Sequence, residues 1–177
     1  TIREKYWDAT RGLFADTYDH RSFSQHVNSL AILAGIVTGE EATRVMERTL
    51  NDSSLIQATI YFRYYVHQAL KVAGMGDHLL DNLQIWRDQM ALGLTTWAEM
   101  PEPTRSDCHA WGASPNIEFF RILLGIDSNA PGFKSIRIAP SLGDLKEVSG
   151  TMPHPVGSVT ASYKLDKKGK LTARLIL

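Results

Sequence analysis

Side chains able to do chemistry are concentrated in one segment of the chain, residues 93–113. The segment GLTTWAEMPEPTRSDCHAWGA has neither a helical nor a strand period, and it lies between two segments with helical patterns. Loops longer than roughly 12–15 residues are uncommon in compact domains and are usually functional or disordered. This one contains two of the four tryptophans, whose burial energy flexible linkers lack. We therefore predict an ordered loop that folds over a pocket.

Glu99 is the candidate catalytic residue of this loop. A loop carboxylate with an apolar wall, supplied here by Trp97, is suited to act as a general base. The alternative is a surface carboxylate paired with Arg105. Glu102, between two prolines, is predicted to point to solvent. Asp107 is predicted either to orient a neighbouring side chain or to cap a turn.

Other reactive side chains give weaker signals. Cys108 is the single cysteine, so an intrachain disulfide is excluded and the compartment is left undetermined. His109 is its neighbour in sequence, which is a poor position for a base that would activate the thiol. The six histidines show no metal-ligand spacing, and we predict neither a metal site nor another cofactor.

The composition is typical of a soluble enzyme or binding module. The chain has 177 residues, 44% of them hydrophobic and 21% charged, with zero formal net charge. This balance argues against a nucleic-acid or membrane partner, because such partners usually need a basic face. Residues 1–20 are charged throughout and contain no signal-peptide pattern. Both ends of the sequence look cut.

The spacing of apolar residues changes once along the chain. Residues 1–126 have the helical period, and Thr38 with Glu41 forms a capping-box pattern. From Pro131 the period is two, with glycines between the runs, which predicts about four antiparallel strands. The helices are predicted at residues 24–37, 39–50, 57–73, 77–92 and 115–124, and strands at 135–139, 156–165 and 171–177.

Several ordered motifs resemble one family over nearly the whole chain. They are GLFAD at 12–16, FSQHVN at 23–28, TTWAE at 95–99, SDCHAW at 106–111, LGI at 124–126, PGF at 131–133 and GTMP at 150–153. The sequence resembles the C-terminal part of bacterial α-L-rhamnosidases, glycoside hydrolase family 78. The resemblance implies a mainly α fold, with hairpins of an (α/α)6 six-hairpin barrel followed by an antiparallel β-sheet or sandwich. Residues 1–126 would be a partial catalytic barrel and residues 132–177 a truncated β domain.

The resemblance also implies a function. The family cleaves terminal α-L-rhamnosides with inversion, and its general base matches Glu99. His109 matches a histidine that lines the rhamnose pocket, while nothing in the chain matches the general acid. We therefore expect the chain by itself to be inactive and to self-associate. The alternative is a non-catalytic helical module that binds carbohydrate or protein.

The expected partner is a rhamnose-containing oligosaccharide or glycoside. Trp97 and Trp111 can stack on a pyranose face or belong to the core, while for Trp86, on a helical stripe, the core is the better prediction. Arg105 and Asp107 complete the set of expected substrate-binding residues.

Overall fold

The computed structural model describes residues 1–101, 103 and 106–177. Its contacts divide these residues into two compact units. The first unit comprises Thr1–Met75 and Asn82–Ala113, and the second comprises Gly76–Asp81 and Ser114–Leu177. The protein has an α part followed by a C-terminal β part, as the sequence predicts.

Helices make up most of the first unit. They are α1 (Ile2–Tyr6), α2 (Gln25–Leu33), α3 (Gly39–Asn51), α4 (Arg63–Val72) and α5 (Gln84–Ala91). Helix α2 packs against both α3 and α4, and the largest apolar cluster of the protein lies among these three helices and the residues before α2. Short 3-10 turns at Gly76–His78 and Leu80–Leu83 occupy the start of the segment predicted as one helix over 77–92.

The prediction that residues 1–126 are wholly helical is wrong near the N-terminus. Strands β1 (Trp7–Asp8) and β2 (Leu13–Phe14) form an antiparallel pair of two residues each. The pair is held by Asn28, whose side-chain oxygen accepts the Phe14 N–H at 2.8 Å and whose amide donates to the Phe14 carbonyl at 3.0 Å. Strands this short have no period that a sequence pattern can show.

The starts of two predicted helices differ in how they are capped. Ser24 caps α2, and its hydroxyl accepts the Val27 N–H at 3.2 Å. Helix α3 begins after Thr38 as predicted, but the capping box does not form, since the Thr38 side chain makes no capping hydrogen bond. Its intended partner Glu41 instead pairs with Arg3.

The second unit begins with helical turns and continues as strands. Helix α6 (Pro115–Glu118) runs into a π-helical turn at Phe119–Leu123. The strands are β3 (Ile126–Ser128), β4 (Ile136–Ile138), β5 (Glu147–His154), β6 (Gly157–Leu165) and β7 (Leu171–Ile176). Strands β3 and β4 pair with each other, and β5, β6 and β7 form an antiparallel sheet with β6 in the centre.

Helix α6 and β3 are joined at a point where only glycine fits. Gly125 has φ +69°, and a Cβ atom there would lie 2.1 Å from the Ala139 carbonyl carbon. The close approach lets the Ala139 N–H donate to the Gly125 carbonyl at 2.9 Å. Beside it, the Tyr163 hydroxyl donates to the Leu124 carbonyl at 2.9 Å, and burial raises the pKa of that tyrosine. These bonds anchor the sheet to the end of the helical turn.

Within the part of the chain that the structure describes, no helix is long and apolar enough to cross a membrane.

Candidate functional site

The loop at 93–113 is anchored at its start to α5. Gln89, in the last turn of that helix, is almost fully buried. Its side-chain oxygen accepts the Ala98 N–H at 2.9 Å, and its carbonyl accepts the Leu94 N–H at 3.2 Å. Because one helical residue satisfies two loop amides, the loop leaves the helix along a fixed path.

The loop then folds back on itself. The His109 N–H donates to the Trp97 carbonyl at 2.8 Å, and the Glu99 N–H donates to the Ser106 carbonyl at 2.9 Å. A third bond joins the Thr96 hydroxyl to the Asp107 carbonyl. The motifs TTWAE at 95–99 and SDCHAW at 106–111 therefore lie side by side.

Gly112 packs the end of the loop against other residues of the first unit. A Cβ atom at Gly112 would lie 2.5 Å from Cβ of Trp97 and 3.4 Å from the Ile60 side chain. The Gly112 carbonyl accepts the indole N–H of Trp86 at 2.6 Å. Trp86 is 4% exposed, so its predicted place in the core is confirmed.

Two rings of the loop and one ring from the segment before α4 form a row. The His109 and Trp111 rings lie 4.7 Å apart at 38°, and the Trp111 and Tyr61 rings lie 5.4 Å apart, edge to face. His109 and Trp111 are half-buried, whereas Tyr61 is 52% exposed. Tyr61 is not among the site residues predicted from the sequence. The sequence shows it only as one member of the aromatic run at residues 61–65.

A second row of rings begins at the residue after Tyr61. Phe62 lies 4.3 Å from the His26 ring and 5.0 Å from the Tyr65 ring, and Tyr65 lies 5.2 Å from Tyr64. Burial lowers the pKa of His26, and the nearby charge of Asp16 partly opposes that shift. The two rows are linked through Tyr61 and Phe62, which are adjacent in sequence just before the start of α4.

His109 has an unused polar atom in the row. Its Nε2 atom is buried and makes no hydrogen bond within the described residues. Leaving a buried nitrogen unpaired costs about 1–3 kcal/mol, which a ligand hydroxyl at this position would recover. The Nε atom of Arg63, at the start of α4, is also buried and makes no hydrogen bond within the described residues. Burial lowers the pKa of that guanidinium.

The remaining candidate residues differ in how far their side chains are exposed. Glu99 and Trp97 are half-buried, while Asp107 and Cys108 are exposed. Arg105 and Glu102 lie outside the described residues, so the predicted pairing of Arg105 stays a prediction. Among the residues that the structure describes, no group of three or more His, Cys, Asp or Glu side chains could hold a metal ion.

The two upstream motifs have structural roles. Asp16 of GLFAD accepts hydrogen bonds from the hydroxyls of Ser22 at 2.7 Å and Ser24 at 2.5 Å. Gln25 of FSQHVN bridges the Thr49 carbonyl and the Ala58 N–H. These bonds fix the start of α2, and thereby place His26 against the second aromatic row.

A buried histidine lies behind the loop anchor. His67 is fully buried, and its ring lies 5.6 Å from that of Trp86. Burial, helped by the positive charge of Arg63, lowers its pKa to about 4. His67 is therefore neutral at pH 7 and packs as a core residue.

A separate cavity of about 440 Å³ lies between α5 and the loop. Its walls are mainly apolar and include Leu92, Leu94 and Met100. None of the aromatic rings of the two rows lines it, and neither does Glu99. The row of His109, Trp111 and Tyr61 is therefore the better candidate for a polar ligand such as a sugar.

Comparison with known proteins gives one family match, which lies within the second unit. Residues 125–176 match the family model described as the bacterial alpha-L-rhamnosidase C-terminal domain. The matched residues cover β3 to β7 and the turns between them. The family is one of glycosidases.

A solved structure resembles a larger part of the chain. It is a rhamnosidase from Klebsiella oxytoca with rhamnose bound, with a TM-score of 0.59 and 21% sequence identity. The match covers 68% of this chain and 26% of that one, so this chain spans only about a quarter of its length. No curated protein sequence matches the chain. The resemblance to the C-terminal part of bacterial α-L-rhamnosidases is thus confirmed.

Proposed function

We propose that the chain contributes to a glycoside hydrolase that cleaves terminal α-L-rhamnosides with inversion, with Glu99 as the general base. One observation carries this proposal: the hydrogen bonds across the loop bring the segment of Glu99 beside the segment of His109. A base and the groups that hold a sugar must converge on one ring, and the adjacency of these two segments supports such an arrangement.

The chemistry requires two carboxyl groups. An inverting enzyme uses a base to deprotonate a water molecule on the face of the sugar opposite the leaving group. Its acid stands about 6.5–9.5 Å from the base, which leaves room for that water. Glu99 is half-buried in a loop with Trp97 nearby, which is a suitable setting for the base. The proposal assigns the acid to no residue of this chain.

The sugar would contact the row of aromatic rings. Pyranose C–H groups pack well on aromatic faces, and Trp111 with the more exposed Tyr61 offers such faces. The free Nε2 atom of His109 would pair with a sugar hydroxyl. Trp97, Arg105 and Asp107 complete the proposed substrate-binding set. The rhamnose bound to the Klebsiella oxytoca protein supports a sugar of this kind.

The proposal extends to the architecture of the whole enzyme. The helices of residues 1–126 would belong to an (α/α)6 barrel, and residues 132–177 to a C-terminal β domain. Fifteen large apolar side chains are exposed among the described residues, Met90, Leu92 and Val156 among them. We also propose that the chain by itself is inactive and self-associates.

Substitution of the base tests the proposal. In the full-length gene product, Glu99→Gln should lower kcat on an aryl α-L-rhamnoside by about 10²–10⁴-fold, since the amide cannot accept the proton of water. Glu47→Gln, at an exposed site on α3, is the matched control and should leave kcat unchanged. The product should appear first as the β anomer, which proton NMR detects during turnover.

Two results would contradict different parts of the proposal. No hydrolysis of any rhamnoside by the wild-type gene product would overturn the enzymatic function. It would favour the second candidate, a carbohydrate-binding module, which the exposed ring of Tyr61 would serve without a base. Hydrolysis with near-normal kcat in Glu99→Gln would instead assign the base to another residue.

A further inference from the structure

Two side chains of α5 bind opposite ends of the loop at 93–113. Trp86 and Gln89 are three residues apart, so they lie on the same face of the helix, and both are almost fully buried. The Trp86 indole N–H donates to the Gly112 carbonyl at 2.6 Å, and the Gln89 side-chain oxygen accepts the Ala98 N–H at 2.9 Å. One helix therefore holds both ends of the loop, each through a separate hydrogen bond.

The bond to Gln89 acts on the peptide group between Trp97 and Ala98. The N–H of this group donates to Gln89, and its carbonyl, that of Trp97, accepts the His109 N–H at 2.8 Å. A planar peptide group bonded on both sides cannot turn without breaking one of these bonds. The backbone that leads into Glu99 is therefore fixed between α5 and the segment of His109.

The Gln89 side chain satisfies one buried group and leaves another unpaired. Ala98 is 2% exposed, so its N–H depends on Gln89 for a hydrogen bond. The amide atom that faces this N–H is the oxygen, because the nitrogen would set donor against donor. The Nε2 atom is buried and makes no hydrogen bond within the described residues. Since one gain is offset by one loss, the side chain adds little net stability, and its main effect is on the position of the loop.

We infer that Gln89 is a positioning residue that fixes the backbone of Glu99, while Trp86 fixes the aromatic row next to Gly112 independently. The inference rests on the proposed role of Glu99 as the general base. A base acts only within hydrogen-bond reach of its water molecule, so a displacement of about 1 Å costs up to about 10²-fold in rate. A sugar held by the aromatic row does not need that bond. The kcat value should therefore depend on Gln89, and the affinity for rhamnose should not.

Gln89→Leu in the full-length gene product tests the inference. Leucine cannot accept the Ala98 N–H, so kcat on an aryl α-L-rhamnoside should fall about 10–100-fold. The Kd for rhamnose, measured by calorimetry, should stay at the wild-type value. The urea concentration at the midpoint of unfolding should also stay near that of the wild type, because the variant exchanges the unpaired Nε2 atom for an unpaired Ala98 N–H.

A conservative variant and a matched control accompany this change. Gln89→Glu keeps an acceptor oxygen in either protonation state of the carboxyl group, so it should retain most of the wild-type kcat. Gln84→Leu makes the same chemical change at an exposed position of α5, where the Gln84 amide donates to Asp88 at 2.7 Å. It should leave both kcat and the Kd for rhamnose unchanged.

Amide hydrogen exchange gives a readout that does not need turnover. In Gln89→Leu, the amides of Ala98 and Glu99 should exchange about tenfold faster than in the wild type, as expected for the loss of one hydrogen bond. The amides of residues 109–113 should keep their wild-type rates, because Trp86 still holds Gly112. In Gln89→Glu, both sets of amides should exchange as in the wild type.

Three kinetic results would overturn the inference. They are a near-normal kcat in Gln89→Leu, an equal loss of kcat in Gln89→Glu, and an equal loss in Gln84→Leu. A fall in rhamnose affinity and in the unfolding midpoint together with kcat would also overturn it, since it would show a structural role alone. If the wild type hydrolyses no rhamnoside, the proposed function fails, and hydrogen exchange then decides whether Gln89 holds the segment of Glu99. Unchanged exchange at Ala98 and Glu99 in Gln89→Leu would show that it does not.

Discussion

Trp86 and Gly112 are joined by a hydrogen bond of 2.6 Å from the indole N–H to the backbone carbonyl. The bond connects α5 to the end of the loop that contains Glu99 and His109. A side chain at Gly112 would collide with Trp97, so the absence of a Cβ atom is what allows this contact. The position of the aromatic row thus depends on a glycine next to Trp111 in sequence.

Gly112→Ala should therefore weaken both stability and activity. The added methyl group would lie 2.5 Å from Cβ of Trp97, and overpacking of this kind costs about 1–3 kcal/mol of the free energy of unfolding. Because the loop must shift, KM for an aryl rhamnoside should rise as well. Urea unfolding and steady-state kinetics measure the two effects.

Gly35→Ala is the matched control for that change. Gly35 has φ +67°, and an added Cβ atom would meet nothing within 4 Å. Its cost should come from backbone strain alone, about 1–2 kcal/mol, with KM unchanged. If Gly112→Ala also left KM unchanged, the contact with Trp97 would not position the site.

Tyr61 should contribute to binding through its ring and not its hydroxyl. Its ring lies 5.4 Å from that of Trp111 and is half exposed. Tyr61→Ala should raise KM for a rhamnoside about 5–10-fold, since an aromatic contact of about 1 kcal/mol or slightly more is lost. Tyr61→Phe should keep the wild-type KM. Tyr18→Ala, at another exposed tyrosine, is the control, and equal KM values for Tyr61→Ala and the wild type would remove Tyr61 from the site.

Asn28→Ala should cost about 3 kcal/mol of the free energy of unfolding. Its side chain bonds the Phe14 N–H, the Phe14 carbonyl and the Ser24 carbonyl, all in a buried setting. Removing it leaves these backbone groups unpaired, at about 1–3 kcal/mol for each group that water cannot reach. Asn51→Ala is the control, because the exposed Asn51 bonds only the Glu47 carbonyl and should cost less than about 0.5 kcal/mol. A similar cost for the two variants would show that Phe14 is held by other contacts.

The sequence was most informative where a pattern is local. Helix α3 follows from a local apolar period over its thirteen residues, and α2 from the apolar spacing within residues 24–37. The period of two located β6, where alternate residues such as Val159 and Ala161 are buried in the sheet, and it also located β7, although all six residues of that strand are exposed. The resemblance in TTWAE and SDCHAW pointed to a loop that the structure shows to be ordered by its own backbone bonds.

Long-range contacts and irregular backbone escaped the same reasoning. Arg3 pairs with Glu41 from 38 residues away and so removes the capping box that the local pattern favours. The π-helical turn at Phe119–Leu123 adds a residue to one turn, an irregularity that a helical period does not show. Met90 lies one turn after Trp86 on α5, yet it is 64% exposed where Trp86 is buried. The roles of Glu99 and His109 in catalysis depend on a substrate and stay predictions.

His67 should make the stability of the first unit depend on pH. Its pKa is about 4 in the folded protein and 6.5 when unfolded, so the unfolded chain takes up the proton first as the pH falls. Its contribution to stability is therefore present above pH 6.5 and is lost as the pH falls from about 6.5 to about 4, by about 3 kcal/mol in all.

His67→Leu removes the titrating group. The loss of unfolding free energy between pH 7 and pH 4, measured in urea, should be smaller in this variant than in the wild type by that amount. If His67→Leu and the wild type lost the same free energy on acidification, the neutral buried imidazole would not be what makes the protein acid-sensitive.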